Sequence, residues 1–138
     1  MKKILLAVTV FIVVAVIAQK SDAPIAAKTA FAKAYPNASK VKWEKEDGNY
    51  EVSFDDKGNE MSVIYNTKGV LQESEYELKV SELPAAVASY MKEHYKGITV
   101  KGAAKITKSD GSINYEAAIK GKDVLFDANG RFIKEAKD

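Results

Sequence analysis

The chain has 138 residues, no cysteine, one histidine and 29% charged residues, with a formal net charge of +2. This length bounds it to one compact domain or two very small units, and its 46% hydrophobic content excludes a disordered chain. The missing cysteines exclude disulfides, thiolate metal sites, a cysteine nucleophile and a lipid-modified cysteine. A single histidine excludes metal sites built on two or more of them.

Met1-Lys2-Lys3 is a basic start, and residues 4–18 are apolar apart from Thr9. Such a run falls short of the roughly 20 residues that span a bilayer. The small residues around Val16-Ile17-Ala18 match the exit of a secretory signal, so cleavage after Ala18 is expected, with the mature chain starting at Gln19. This reading sends the protein to the periplasm or outside the cell, with no membrane attachment after cleavage. Without Lys2 and Lys3 the 21 basic residues fall to 19, matching the 19 acidic ones. Arg131 is the only arginine, and a neutral, lysine-based surface is no footprint for nucleic acid.

The mature chain reads as two units of one grammar, residues 19–80 and 81–138, each a short helix followed by about four strands. In the first, Asp22 is the expected cap, Pro24 lies in the first turn, Ile25, Phe31 and Tyr35 supply apolar contacts, and Pro36-Asn37 ends the helix. Val41, Trp43 and Lys45 alternate with Lys42, Glu44 and Glu46 up to a turn at Asp47-Gly48-Asn49. Tyr50, Val52 and Phe54 then alternate with Glu51, Ser53 and Asp55, the period of a half-buried antiparallel strand. A turn at Asp56-Lys57-Gly58-Asn59 leads to Met61, Val63 and Tyr65. In the second unit Ser81 is the expected cap, Pro84 lies in the first turn, and Val87, Tyr90 and Met91 form the stripe before Gly97. Ala104 and Ile106, then Ile113, Tyr115, Ala117 and Ile119, then Val124-Leu125-Phe126 supply the strands.

Tyr65-Asn66-Thr67-Lys68-Gly69-Val70-Leu71 lies opposite Phe126-Asp127-Ala128-Asn129-Gly130-Arg131-Phe132, and Pro24 and Pro84 are 60 residues apart. Asn or Asp starts such a turn and glycine supplies its positive φ. A unit of about 60 residues is marginal alone, so the two copies are expected to pack as one body.

Phe31-Ala32-Lys33-Ala34-Tyr35-Pro36-Asn37-Ala38, Val41-Lys42-Trp43-Glu44 and Tyr50-Glu51-Val52-Ser53-Phe54 together resemble the first repeat of the PepSY-like, beta-lactamase-inhibitor-like exported proteins of Bacteroidetes-type bacteria. Leu83-Pro84-Ala85-Ala86-Val87, His94-Tyr95 and Val124-Leu125-Phe126-Asp127-Ala128-Asn129-Gly130 are similar to the second. The resemblance implies an α+β fold of two tandem helix-plus-four-strand repeats, with helices packed on a curved antiparallel sheet. It also implies a non-enzyme without a cofactor. The family often has a tryptophan soon after the final glycine, where this chain has Phe132, with Leu71 as its counterpart in the first repeat. Inhibition of a beta-lactamase does not carry over, because no inhibitory residue set can be matched.

Among residues that could carry chemistry, His94 has no nucleophile or orienting carboxylate in a recognisable pattern and reads as a helix-end residue. Asp55-Asp56-Lys57-Gly58-Asn59-Glu60 lacks the register of a calcium loop and reads as turn chemistry. No metal site is expected. Glu73, Glu75 and Glu77, spaced by two, read as one solvated strand face that discourages edge pairing. A protein partner, a peptidase-like one among the candidates, would dock on the sheet face through aromatic residues. The candidates are Trp43, Tyr50, Tyr65, Tyr76, Tyr115 and Phe132. The alternatives are a self-associating structural or sensor accessory and a small-ligand binder.

Overall fold

A computed structural model describes residues 22–137; the signal reading of residues 1–18 lies outside them. The chain divides into two compact units. Of the described residues, the N-terminal unit takes 22–76 together with 108–110, and the C-terminal unit takes 77–107 and 111–137.

In the N-terminal unit, α1 (Ile25–Ala34) precedes β1 (Ser39–Glu46), β2 (Asn49–Asp56), β3 (Asn59–Tyr65) and β4 (Leu71–Leu78), whose last two residues group with the other unit. These strands lie in chain order, each antiparallel to the one before. The turns at Asp47-Gly48 and Lys57-Gly58 place both residues at positive φ, 45° and 82° in the first and 55° and 86° in the second. Two consecutive positive φ values define the type I′ turn, whose twist matches that of the flanking strands. Ala27 and Phe31 of α1 close over Val52, Phe54, Val63 and Tyr65, and the Phe31 ring lies 4.9 Å from Phe54 and 5.6 Å from Trp43.

The C-terminal unit repeats the order with α2 (Ala85–His94), β5 (Gly102–Lys108), β6 (Ile113–Ile119), β7 (Lys122–Asp127) and β8 (Phe132–Lys137). Val87 and Met91 of α2 pack with Leu83 on Ala103, Ala117, Ile119, Val124 and Phe126.

Both helices start later than the sequence suggests. Neither Asp22 nor Ser81 caps a helix: Pro24 and Pro84 are themselves the N-caps, with ψ of 148° and 143° and no side-chain cap bond. A proline pushes the residue before it toward extended backbone, which stops the helix from reaching back to either polar residue. Ser81 instead sits in a short 3-10 turn, Val80–Glu82, where the Lys79 backbone N–H donates to Glu82 Oε2 at 2.7 Å. The helices end at Tyr35 and Tyr95, whose N–H groups donate to Phe31 and Met91, so Gly97 lies beyond the helix it was expected to end.

The matched turns are built alike. Asn66 Oδ1 accepts from the N–H groups of Lys68 and Val70, and Asp127 Oδ1 accepts from those of Asn129 and Arg131, all within 2.8–3.0 Å. Gly69 and Gly130 share a φ of 76°. A Cβ at Gly69 would meet the Ala26 carbonyl oxygen at 2.5 Å, and one at Gly130 would meet Ala86 Cβ at 2.7 Å. Each glycine lets its turn press against the start of its helix.

Candidate docking face

Strand alternation gives each unit one sheet face that carries a helix and one that does not. The six aromatic candidates all belong to the helix-bearing faces. Tyr65 is 3% exposed and packs with α1 as part of the core. Trp43 packs on the same core, Tyr50 shares its face through the pair with Tyr65, and Tyr76 pairs with Met61 while its hydroxyl donates to Asn59 Oδ1 at 2.9 Å. Tyr115 packs against the core of the C-terminal unit, and Phe132, 42% exposed, stacks on Tyr90 of α2 with a centroid distance of 5.3 Å. The aromatic rings gathered where helix meets sheet, because covering a helix is the larger demand on apolar area.

The helix-free face of the N-terminal unit is acidic. The register sets Glu44 opposite Glu51, Glu51 opposite Ile64 and Ile64 opposite Glu73, and in the next row Lys42, Ser53, Ser62 and Glu75. Glu46 flanks the first row on β1. Burial, the Glu46, Glu44 and Glu73 charges together push the Glu51 carboxyl above its ordinary value, against the lowering effect of a hydrogen bond from Ser62. Burial also raises Glu73, partly offset by Lys108, and raises Glu46 with help from Asp47 and Glu44. Like charges directly opposite one another on a sheet are destabilising. Glu75 follows Glu73 on this face, as its spacing suggested. The outer side of β4 is occupied at Gln72, whose carbonyl accepts from the Ser109 N–H at 2.9 Å.

The equivalent face of the C-terminal unit sets small and apolar residues around two buried carboxylates. Ala104 lies opposite Glu116, Glu116 opposite Leu125, Gly102 opposite Ala118, and Ala118 opposite Asp123, with Ile106 opposite Asn114. Ile106 is 1% and Leu125 6% exposed. Sequence reasoning missed this face. Its signal was present in Ala117-Ala118-Ile119 and Val124-Leu125-Phe126, continuous apolar runs of the kind that strands buried on both faces produce.

Other features lie outside these rows. Tyr95 donates its hydroxyl to Glu135, which also accepts from Lys122 at 2.8 Å, and burial followed by that hydrogen bond pushes the Tyr95 phenol up to about 12. His94, the last residue of α2, stacks on Tyr90. A groove of about 310 Å³ beside α2 is lined by Val80, Leu83, Met91, Tyr95, Ile98 and Val100, with Lys92 as its charged lining residue. The Asp55–Glu60 segment makes turn contacts, Asp55 Oδ1 accepting from the Gly58 N–H and Oδ2 from Lys40. Among the described residues no group of three or more acidic or histidine side chains is placed to hold a metal ion, and no helix is long and apolar enough to cross a membrane.

The family model described as beta-lactamase-inhibitor-like, PepSY-like matches residues 15–73 and again 71–134. Among solved structures the chain is similar to a protein from Bacteroides eggerthii DSM 20697 described as periplasmic, at 17% identity and a TM-score of 0.76, over 83% of this chain and 88% of that one. It is similar to a DUF2874 family protein from Bacteroides uniformis ATCC 8492 at 20% identity and a TM-score of 0.74, over 83% and 89%. A BLIP-like protein from Bacteroides fragilis NCTC 9343 shares 26% identity with a TM-score of 0.65, over 81% and 84%. A search of curated proteins found no significant match.

Proposed function

Since this chain belongs to the beta-lactamase-inhibitor-like, PepSY-like family, both of whose matches together span most of its length, we propose that it is an exported, non-enzymatic module that binds a protein partner on its helix-free sheet surface. The description of a structural neighbour as periplasmic supports export. The observation that carries the binding reading is the row Glu44, Glu51, Glu73 on the N-terminal unit. Burial, reinforced by neighbouring carboxylates, raises the proton affinity of Glu51 and Glu73 at a cost in stability to the free protein, and a basic partner surface offsets that cost on docking. The partner is therefore basic where it meets this face, and its association weakens with salt.

The test is capture from envelope extract of the native bacterium, with the chain starting at Gln19 as bait and a Glu51→Gln, Glu73→Gln double variant as comparator. A protein held by the first bait in stoichiometric amount and lost by the second supports the reading. A protein held equally by both moves the contact off this face. Enriched glycan or lipid without protein replaces protein binding by small-ligand binding, and capture of the chain itself replaces it by self-association.

A further inference from the structure

The first strand is an open edge. Among the described residues β1 has β2 as its one neighbour. One side of its backbone therefore carries N–H and C=O groups outside the ladder, a template for another strand. The two-residue turn at Asp47-Gly48 makes Glu46 and Asn49 the closing hydrogen-bonded pair of the hairpin. Backbone groups alternate in direction along an antiparallel strand, so those of Lys42 and Glu44 face β2 and those of Trp43 and Lys45 face outward. The side chains along this edge are exposed except for half-buried Trp43 and Glu46. A register shift between Ser39 and Lys42, with Lys40 at a φ of 53°, leaves the regular stretch from Lys42 onward.

Charge decides which strand fits. The edge reads Lys42-Trp43-Glu44, a cation and an anion on either side of Trp43. Within one chain Lys42 Nζ lies 2.7 Å from Glu44 Oε1, with both side chains about half exposed. Residues directly opposite one another in an antiparallel pair share a face, and neighbours along a strand do not. A strand that meets its own copy across a two-fold axis must therefore place that axis on a residue. An axis at Lys42, Glu44 or Lys45 sets that charge against itself. An axis at Trp43 sets Lys42 opposite Glu44 of the other copy twice over, and it brings the outward N–H and C=O of Trp43 to those of its counterpart. We infer that two copies of the chain join β1 to β1, antiparallel across a two-fold axis at Trp43, with Lys42 of each copy facing Glu44 of the other. The two internal ion pairs then meet as four charges of alternating sign. The join also gives the acidic row Glu44, Glu51, Glu73 a cation at its β1 end.

The test is sedimentation velocity over a range of concentrations, on the full chain expressed in its native bacterium and purified as that cell leaves it. The chain is expected to pass from monomer to dimer, and sedimentation as a monomer up to about 1 mM overturns the inference. Lys42→Glu alone, or Glu44→Lys alone, places like charges opposite one another and should raise the dimerisation midpoint at least about tenfold. An equimolar mixture of the two variants should pair as tightly as the unchanged chain, because each carries the charges that the other lacks. Each variant has lost its internal Lys42–Glu44 pair and mixing does not restore it, so the recovery reports the contact between copies. Variants that dimerise as the unchanged chain does, or a mixture no tighter than its components, overturn the inference. If either variant lacks a native circular dichroism spectrum, Lys42→Gln and Glu44→Gln replace them; each should raise the midpoint about threefold, and an unchanged midpoint counts against the pairing. The inference goes beyond the binding reading and does not rest on it. A bait that brings down only its own copy removes the basic partner and keeps the pairing, whereas a monomeric chain removes the pairing and leaves Glu51 and Glu73 to a partner.

Discussion

Around Val63 and Val124 the two units solve one problem in the same way: a ten-residue helix behind a proline, two helix side chains over a pair of central strands, and a glycine turn pressed against the helix start. On the reverse of those strands they diverge. One unit presents a half-exposed row of carboxylates and the other buried alanine, isoleucine and leucine around two buried carboxylates. The helix side is constrained by packing, since a helix must be covered with little void. The helix-free side has no such constraint, which leaves it to vary with what it meets.

The largest effect expected probes what the units share. Gly69→Ala should cost about 4 kcal/mol, combining a left-handed alanine with a clash against backbone. Gly130→Ala should cost about 3 kcal/mol because its closest obstacle is a side-chain methyl. Urea denaturation of each variant reads both values, and near-zero costs would show that the turns do not hold the helices.

The next sharpens the difference. In the 138-residue chain Ile106→Ala should cost about 3 kcal/mol, as a fully buried isoleucine does, against about 1 kcal/mol for half-exposed Ile64→Ala. Urea denaturation of both variants reads these costs, and equal values would break the contrast drawn between the two faces.

Acidification should separate the units in sign. Glu46, Glu51 and Glu73 hold their protons more tightly folded than unfolded. Stability of the N-terminal unit therefore rises as pH falls through their raised folded values, and levels off below the ordinary value of 4.5. Glu135 is lowered by hydrogen bonds from Lys122 and Tyr95. Its contribution to the C-terminal unit is present above the ordinary carboxylate value and is lost as pH falls through the lowered one. Amide exchange compared at pH 8 and pH 5 checks the gain in the N-terminal unit, and compared at pH 5 and pH 3 the loss in the C-terminal unit. The smallest effect follows from the first group: Glu51→Gln should stabilise the N-terminal unit at pH 8 by about 0.5 kcal/mol, and a loss of stability would show that the row is not repulsive.

Much of this architecture was legible in the residues. The spacing of Asn66-Gly69 and Asp127-Gly130 revealed the repeated turn, because only a few residue types satisfy its backbone. Alternation in Tyr50-Val52-Phe54 identified one face of β2, and it also put the Glu73-Glu75 pair together. Alternation does not say which face a helix will cover, and the aromatic residues named as docking candidates lie on the helix side. The caps were misplaced because Asp22 and Ser81 satisfy a local pattern that Pro24 and Pro84 override. The apolar face around Ile106 escaped notice for the reverse reason, since strands apolar on both sides show no alternation to read.

The meander itself has a kinetic consequence. Every strand pairs with its immediate predecessor across a short turn within each unit, so most contacts close small loops of chain. Low contact order favours fast folding. A polypeptide made N-terminus first can zip α1 and β1 to β3 together while the second unit is still being synthesised. That order of assembly shortens the time during which unpaired strand edges are open to aggregation.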